Sequence, residues 1–323
     1  MNLAPDSGEA QIAEAAADFL LGSLGRARLH RVGTADLSAE QRGEVGGLGW
    51  FGLALPEQSG GSGLSAVEHA LFFREAGRQC APVDLLAQSL AANMPVGAAL
   101  RESVLGGAVG VGLAVEDAGT LRVYGNPLAE FAIAVRPQGA ALYRMAGVKA
   151  ETRPSLVPSS TLRVIAGMPP VEAEAELPDL WVLGELATAA MLVGIAEAAL
   201  ELIAEYAKVR ETFGRKIGAY QAVRHPCADM LVRIEAARAQ LYFAATAIKE
   251  AHPSAQAHLD AAKHLANQAA LANSDANIQL HGGIGVTEEH DAHLLHKQAL
   301  LLSRLFGARR AVLANLLHQE LAA

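Results

Sequence analysis

The 323-residue sequence predicts a mainly α-helical protein with a small β domain in its middle and a four-helix bundle at its C-terminal end. Two observations predict this fold class. Apolar residues make up 51% of the chain and aromatic residues only 5%, and the abundant alanines and leucines favour helices. Apolar positions recur at helical spacing towards both ends, whereas the middle contains short apolar runs broken by glycine and proline. The predicted domains are residues 1–105, 106–178 and 179–323.

The N-terminal domain is predicted to be helical with one long loop. Apolar residues at helical spacing begin at Ile12 and again at Leu71, and the second helix is expected to break at Gly77. Between them, residues 47–63 are rich in glycine and include a proline, which predicts a loop. This stretch lacks the Lys and Ser/Thr that a phosphate-binding loop needs after its glycines, so it is predicted only to reverse the chain.

The middle domain is predicted to be a meander or a partial barrel of short strands. The prediction depends on four apolar runs, at residues 109–115, 131–135, 141–145 and 162–165. The C-terminal domain is predicted to hold four amphipathic helices. Their apolar stripes begin at Leu186 and Val223, the third helix is expected over 254–278, and the fourth covers much of 291–321. Short connections between four such helices are typical of a bundle.

Charge and cysteine content exclude several classes of function. The 26 Lys and Arg residues against 34 Asp and Glu give a net charge of −8, and no long basic run is present, so nucleic acid is not an expected partner. Cys80 and Cys227 lie far apart, which predicts neither a disulfide framework nor a cysteine zinc site and suits the cytoplasm. The N-terminus lacks the cationic stretch of a signal peptide, and charges interrupt the apolar runs, so no membrane-spanning segment is expected.

Two clusters of polar residues are predicted to be solvated helix surface. They are His290, His293 and His296, and Glu197, Glu201 and Glu205. The histidines lie at i, i+3 and i+6, so that only neighbouring pairs share a face, and no nearby acid completes a metal site. No metal is therefore expected. The glutamates recur every four residues, as on the exposed face of a helix.

Two connections in the bundle carry residues that helix packing alone does not explain. Residues 210–218 read RETFGRKIG and are followed by Gln221, while residues 279–285 read QLHGGIG. A guanidinium donates two parallel hydrogen bonds to a diphosphate, glycines let backbone approach a phosphate, and glutamines can bind heterocycle edges. The alternative is that both are ordinary turns between helices, in which glycine is the usual C-terminal stop.

Together these motifs resemble those of the acyl-CoA dehydrogenase (ACAD) family of flavoproteins, over almost the whole chain. The first-domain loop of that family is similar to GWFGLALPEQSGGSGLS, and its two bundle signatures are similar to RETFGRKIG with AYQ and ADM, and to QLHGGIG. The resemblance implies a helical, a β and a four-helix-bundle domain in a dimer of dimers, with FAD reaching from one subunit into its neighbour. The positions implied to hold the ADP portion of a neighbour's FAD are Arg210, Thr212, Phe213, Gln221, Gln279, Gly282 and Gly283.

Other parts of the family pattern are missing. Residues 112–126 contain neither the Thr-Glu-Pro nor the Trp-Ile-Thr stretch that touches the flavin and thioester in the family, and the β domain is short. Many members place the catalytic glutamate before a glycine in the last helical segment, where this sequence has Phe306 before Gly307. Others place it on the first bundle helix, where Glu185 is the nearest acid. Its register differs by one residue, which turns a helical side chain by about 100°.

The resemblance therefore implies a short, non-catalytic subunit of a heteromeric α2β2 ACAD, similar to the enzymes of bacterial steroid catabolism. A full-length partner would supply the base and the acyl-CoA site and share its FAD, and an electron-transferring flavoprotein or similar protein would accept the electrons. Two alternatives stay open. One is a homo-oligomeric ACAD that uses Glu185 as its base, and the other is a flavin-free helical assembly or regulatory protein.

Overall fold

The structure is a computed structural model that describes residues 5–31 and 36–319. Its described part is mainly helical with one small sheet and a two-stranded hairpin, which confirms the predicted fold class. The helices before the sheet are α1 (Ser7–Leu24), α2 (Ala39–Gly47), α3 (Ala66–Arg78), α4 (Asp84–Ala92) and α5 (Ala98–Leu105). Those after it are α6 (Pro178–Val209), α7 (Gln221–Lys249), α8 (Ala255–His281), α9 (Ala292–Leu302) and α10 (Arg309–His318).

The sheet is open and mixed. Its strands are β1 (Val111–Asp117), β2 (Thr120–Gly125), β3 (Phe131–Arg136), β4 (Gly139–Arg144), β5 (Glu151–Arg153), β6 (Thr161–Ala166) and β7 (Val171–Ala175), in the order β5-β6-β2-β1-β3-β4-β7. Leu113 of β1 lies opposite Tyr124 in the antiparallel β2 and opposite Ile133 in the parallel β3. The chain thus crosses from one side of β1 to the other, which a meander does not do. The predicted meander is wrong at this step, and the alternative of a partial barrel stays a prediction.

Helix α6 is the central helix of the bundle. It is apolar almost all round, because neighbouring helices cover nearly every side chain between Gly184 and Ala199. By length and hydropathy α6 could also span a membrane, contrary to the expectation that charges interrupt every apolar run. However, 83% of its most apolar window is buried inside the protein, as in a core helix.

Helices α3 and α6 approach each other through glycines. A Cβ atom on Gly77 would overlap the backbone of Met191, and one on Gly194 would overlap the carbonyl oxygen of Arg74. The predicted break at Gly77 is confirmed to within one residue, since α3 ends at Arg78. The glycine also permits the close packing of the two helices.

Substituting alanine for Gly194 is expected to lower the free energy of unfolding by about 1–3 kcal/mol, because the added methyl group would force the two helices apart. Gly22→Ala is the matched control, since nothing lies within 4 Å of its Cβ position in α1. That change should be neutral or stabilising by up to about 1 kcal/mol. Urea unfolding of both variants checks the prediction, and equal stability of the two would contradict it.

The fourth bundle position holds two short helices. The predicted helix over 291–321 is wrong, since α9 ends at Leu302 and α10 begins at Arg309. Phe306 and Gly307 both have positive φ, 47° and 108°, which no α-helix contains. The chain is therefore bent at the pair that the resemblance places at the family's usual base position.

Contacts divide the chain into two compact units. One comprises the described residues of Met1–Leu21, Ala70–Cys80 and Glu185–Ala323, and the other those of Gly22–His69 and Ala81–Gly184. The first unit contains the bundle from Glu185 onward and both motif-bearing connections. The division into domains 1–105, 106–178 and 179–323 stays a prediction.

An ion-pair network inside the first unit corrects the predicted solvated glutamate face at Glu197, whereas Glu201 and Glu205 are exposed as predicted. Glu197 is only 6% exposed and accepts hydrogen bonds from Arg78 and Arg238, while Arg74 lies 3.5 Å from its carboxylate. Glu201 is exposed, but it also pairs with Arg78, at 2.6 Å. A buried carboxylate is tolerated here because several guanidiniums compensate for its lost hydration.

Candidate functional site

The first motif folds into a hairpin, which we call the hairpin loop (residues 210–218). It contains the paired strands β8 (Glu211–Thr212) and β9 (Arg215–Lys216). Phe213 and Gly214 form the connecting turn with φ of 49° and 79°, as a two-residue hairpin turn requires. Phenylalanine rarely adopts this conformation, and its ring is 95% exposed. The loop thus presents a large apolar side chain at its tip.

Local contacts brace the hairpin loop and leave Arg210 uncommitted. The Tyr220 hydroxyl donates to the carbonyl oxygen of Thr212 at 2.8 Å, and the guanidinium of Arg215 lies 4.0 Å from the centre of the Tyr220 ring. Lys216 pairs with Glu211 at 2.6 Å. The exposed guanidinium of Arg210 makes no hydrogen bond or ion pair with the described residues, while its backbone N–H continues α6.

The second motif forms the end of α8 and the turn after it, which we call the glycine turn (residues 279–285). Gly282 ends the helix with φ 68° and ψ −146°, a conformation that favours glycine. A short 3₁₀ turn, Gly282–Val286, follows. Gln279, Gly282 and Gly283 are all exposed, and nothing lies within 4 Å of a Cβ position on either glycine.

The structure brings the two motifs to the same end of the bundle. The ring of Tyr206, one turn before Arg210 on α6, packs on the ring of His281 in the glycine turn with 4.5 Å between centroids. Gln221 is the exposed first residue of α7, directly after the hairpin loop. All seven positions named from the resemblance therefore lie on the connections at this end, and only Thr212 among the five side chains is half-buried.

The arrangement of these exposed side chains fits a nucleoside diphosphate. Arg210 offers an unpaired charge, and α7 begins at Gln221 without a side-chain cap, so the positive end of its dipole faces solvent. The amides of Gln221 and Gln279 are also uncommitted among the described residues and can bind polar edges of a base or ribose. The exposed Phe213 ring adds an apolar contact surface.

A second cluster forms where the two alternative base positions meet. A Cβ atom on Gly307 would lie 3.5 Å from the Oε1 atom of Glu185. Glu185 and Gly307 are far apart in the sequence, but the fold brings them close together. Phe306 is buried, and Glu185 is 1% exposed. Phe306 has no group that accepts a proton, and the carboxylate of Glu185 is not accessible from solvent.

Glu185 belongs to a buried polar network. Its Oε2 atom accepts from Gln256 at 3.1 Å, while Lys263 donates to the hydroxyl of Thr188 at 2.8 Å and to the carbonyl oxygen of Leu302 at 3.2 Å. Burial and the nearby Asp260 carboxylate raise the pKa of Glu185, whereas burial lowers the pKa of Lys263. Both shifts have the same physical cause, the loss of water around a charge.

Sequence reasoning missed this network. Lys263 and Asp260 are 0% exposed, and both lie on α8 among alanines. A signal was present, because buried polar residues recur along α8 at spacings of three or four, apart from one alanine. They are Asp260, Lys263, Asn267, Ser274, Asn277 and His281; Ala270 is the alanine between Asn267 and Ser274, and Asn273 is buried beside this stripe. Such a polar stripe within an alanine-rich helix indicates an internal network and not a solvated face.

The histidine cluster is packed more than predicted. The ring of His290 lies 4.3 Å from that of His281, and the Nδ1 atom of His296 is 2.9 Å from the hydroxyl of Ser274. His290, His293 and His296 are all half-buried, so the prediction of a solvated surface is wrong. Within residues 5–31 and 36–319, no group of three or more His, Cys, Asp or Glu is arranged to hold a metal ion.

Family profiles match both ends of the chain. The profile of the "Acyl-CoA dehydrogenase, N-terminal domain" matches residues 7–101, and that of the "Acyl-CoA dehydrogenase, C-terminal domain" matches residues 183–321. The second match includes Glu185, the hairpin loop and the glycine turn.

Individual relatives agree with these matches. The chain is 35% identical over 277 residues to acyl-CoA dehydrogenase IpdE2 of Mycobacterium tuberculosis, covering 83% of this chain and 82% of the relative. Among solved structures, a variant of the Tcur3481-Tcur3483 steroid ACAD has a TM-score of 0.80 at 25% identity, covering 96% of both chains. The ChsE4-ChsE5 complex from Mycobacterium tuberculosis has a TM-score of 0.79 at 20% identity, covering 100% of both chains.

Proposed function

The chain belongs to the acyl-CoA dehydrogenase family, and we propose that it acts there as the non-catalytic subunit of a heteromeric enzyme. In this proposal the hairpin loop and the glycine turn bind the ADP portion of FAD that a full-length partner subunit holds. The partner supplies the catalytic base and the acyl-CoA site. Bound FAD would supply the hydride acceptor for the α,β-dehydrogenation of the thioester, and the partner's base would take the proton.

The exposed and uncommitted state of the hairpin loop is the observation that carries this proposal. Arg210 has no partner among the described residues, and the Phe213 ring projects into solvent in a conformation that phenylalanine rarely adopts. A helical assembly protein without flavin would have no need for an unpaired arginine at the same end of the bundle as the uncommitted amides of Gln221 and Gln279. Binding of an anionic ligand from another subunit accounts for the whole set.

The buried acid supports the non-catalytic part of the proposal. Phe306 has no proton-accepting group, and Glu185 shares its burial with Lys263 and Asp260. A base must reach the proton that it removes, within about 3 Å or through one water. The missing Thr-Glu-Pro and Trp-Ile-Thr stretches point in the same direction, because they would contact the flavin within the same subunit.

Several finer features belong to the same proposal. The steroid ACAD and the ChsE4-ChsE5 complex among the similar structures support a heteromer, for which we propose an α2β2 assembly. The steroid ACAD also favours a steroid-derived acyl-CoA as the substrate in the partner. An electron-transferring flavoprotein or similar protein would reoxidise the flavin. Both cysteines are free, which suits a cytoplasmic location.

One observation favours a second candidate, a homo-oligomeric dehydrogenase that uses Glu185. Burial raises the pKa of this carboxyl, as is required of a general base that works near neutral pH. It also lies beside Gly307, next to the usual base position of the family. This candidate requires the side chain to become accessible to substrate.

Flavin absorbance separates these candidates. The chain is purified alone and after co-expression with full-length acyl-CoA dehydrogenases from the same genome, and the flavin-to-protein ratio and the mass of each sample are measured. Flavin that is present only in a complex supports the proposal. Stoichiometric flavin in the chain alone would favour the homo-oligomer, and no flavin in either sample would favour an assembly protein.

Glu185→Gln is expected to leave the turnover of the flavin-loaded complex unchanged, because the partner supplies the base. Steady-state turnover with a steroid-derived acyl-CoA measures this. The substitution keeps the shape of the side chain and the neighbouring Gln256, so a loss of turnover would report the carboxylate itself. A loss of about 100-fold or more, the size of a general-base contribution, would identify Glu185 as the base and contradict the proposal.

A further inference from the structure

We propose that His281 is a positioning residue that holds the glycine turn in register with the hairpin loop, so that both contact one FAD. This inference depends on the proposed function and deepens it. His281 itself is buried and does not touch the ligand. Its role is to join α6 and α8 at the end of the bundle where the two loops project.

A stack of three rings makes this connection. The ring of His281 contacts that of Tyr206, with centroids 4.5 Å apart and planes tilted by 33°, and that of His290, at 4.3 Å and 56°. Tyr206 lies on α6 and its carbonyl oxygen accepts the backbone N–H of Arg210 at 2.9 Å. His290 lies after the glycine turn. The stack thus connects the start of the hairpin loop to both sides of the glycine turn.

A hydrogen bond fixes the orientation of the His281 ring. Its Nδ1 atom is 2.8 Å from the carbonyl oxygen of Asn277, one turn earlier on α8. Since a carbonyl oxygen only accepts, Nδ1 carries the hydrogen. The Nε2 atom is buried without a partner among the described residues. This hydrogen bond restricts rotation of the His281 ring and so favours the orientation in which Tyr206 packs on it.

The glycine turn folds directly against this residue. A Cβ atom on Gly285 would lie 3.0 Å from the Cβ atom of His281 and 2.8 Å from the carbonyl oxygen of Ile278. The absence of a side chain at Gly285 therefore lets the turn pass close to His281. Moving the histidine would shift the positions of Gln279, Gly282 and Gly283 relative to Arg210.

The test compares FAD affinity in the complex for four variants, after the flavin has been removed and titrated back. His281→Ala and Tyr206→Leu each remove the stack from one side and should weaken FAD binding by about 3- to 10-fold, as expected for an aromatic contact. His281→Phe keeps a ring in place but loses the hydrogen bond to Asn277, so it should restore part of the affinity that His281→Ala loses. His258→Ala, which removes a ring packed 4.3 Å from Phe243 near the other end of α8, should leave FAD affinity unchanged.

Rescue by phenylalanine separates positioning from a general loss of stability, which urea unfolding measures in parallel. If Tyr206→Leu and His281→Ala bind FAD as tightly as His258→Ala does, the inference is overturned. Arg210→Ala is measured beside them to keep the two proposals distinct. When Arg210→Ala alone weakens FAD binding, the shared site stands and the positioning role fails. When Arg210→Ala also has no effect, the proposed function fails, and the inference fails with it.

Discussion

Lys263→Met is expected to lower the free energy of unfolding by about 3–5 kcal/mol at pH 8, because it removes the cation whose charge favours the buried carboxylate of Glu185. The ammonium is 0% exposed and holds Thr188 and the end of α9 through two hydrogen bonds. Methionine has a similar length and apolar character, so that the change removes the charge and leaves little cavity. Urea unfolding measures the effect.

The pH dependence of this variant has a definite sign. Without the lysine, the pKa of Glu185 rises further, so the folded state binds more protons than the unfolded state above the ordinary pKa of 4.5. The stability of Lys263→Met should therefore fall as the pH rises from about 5 to 8. The double variant Glu185→Gln, Lys263→Met should recover part of the loss at pH 8.

The matched control is Lys208→Met. Lys208 is exposed and pairs with the exposed Glu205 at 2.5 Å, so its loss should change stability by no more than about 1 kcal/mol. If Lys263→Met is as stable as Lys208→Met at pH 8, then Lys263 is not the counter-ion of a buried network. Burial of Glu185 within such a network would then no longer explain why its carboxylate is inaccessible as a base.

The second large effect is expected on FAD binding. Arg210→Ala should raise the FAD dissociation constant of the complex by about 10- to 150-fold, because a charge-assisted contact contributes about 1.5–3 kcal/mol. The side chain makes no ion pair or hydrogen bond with the described residues, so its removal should not alter the stability of the chain itself. Titration of the apo complex with FAD, followed by flavin fluorescence, measures this change.

Arg215→Ala is the matched control for Arg210→Ala. Both arginines lie in the hairpin loop and are exposed, but Arg215 is already engaged with the ring of Tyr220. Its removal takes away the same charge and a cation–π contact, which should change FAD affinity by about fivefold or less. If the two variants lose FAD affinity equally, then binding depends only on the net charge of the loop. That result would contradict a direct contact between Arg210 and FAD.

Sequence patterns identified the parts of this fold that depend on local spacing. The apolar stripes from Leu186 and Val223 lie largely on the buried faces of α6 and α7, and the two motifs lie at one end of the bundle. Patterns failed where distant segments decide the structure. The close approach of the Met191 backbone to Gly77 is one example, because the local sequence does not reveal it.

The candidate site shows the same limit. Glu185 and Gly307 are far apart in the sequence, so their proximity could only come from the packing of α6 against the segment between α9 and α10. The burial of Lys263 was missed despite the polar stripe on α8, since a lysine on an amphipathic helix is usually solvated. The exposed residues of the hairpin loop and the glycine turn could be predicted without knowledge of the packing, because each motif is a continuous stretch of sequence.

Photolabelling with an azidoadenine analogue of FAD tests the central claim most directly. The analogue is bound to the complex in place of FAD, irradiated, and the labelled peptides of both subunits are identified by mass spectrometry. We predict that the adenine label attaches to this chain, within the peptides that contain the hairpin loop or the glycine turn, while the flavin remains reducible by substrate in the partner. Labelling of the partner alone would contradict the claim that this chain holds the ADP portion of a shared FAD.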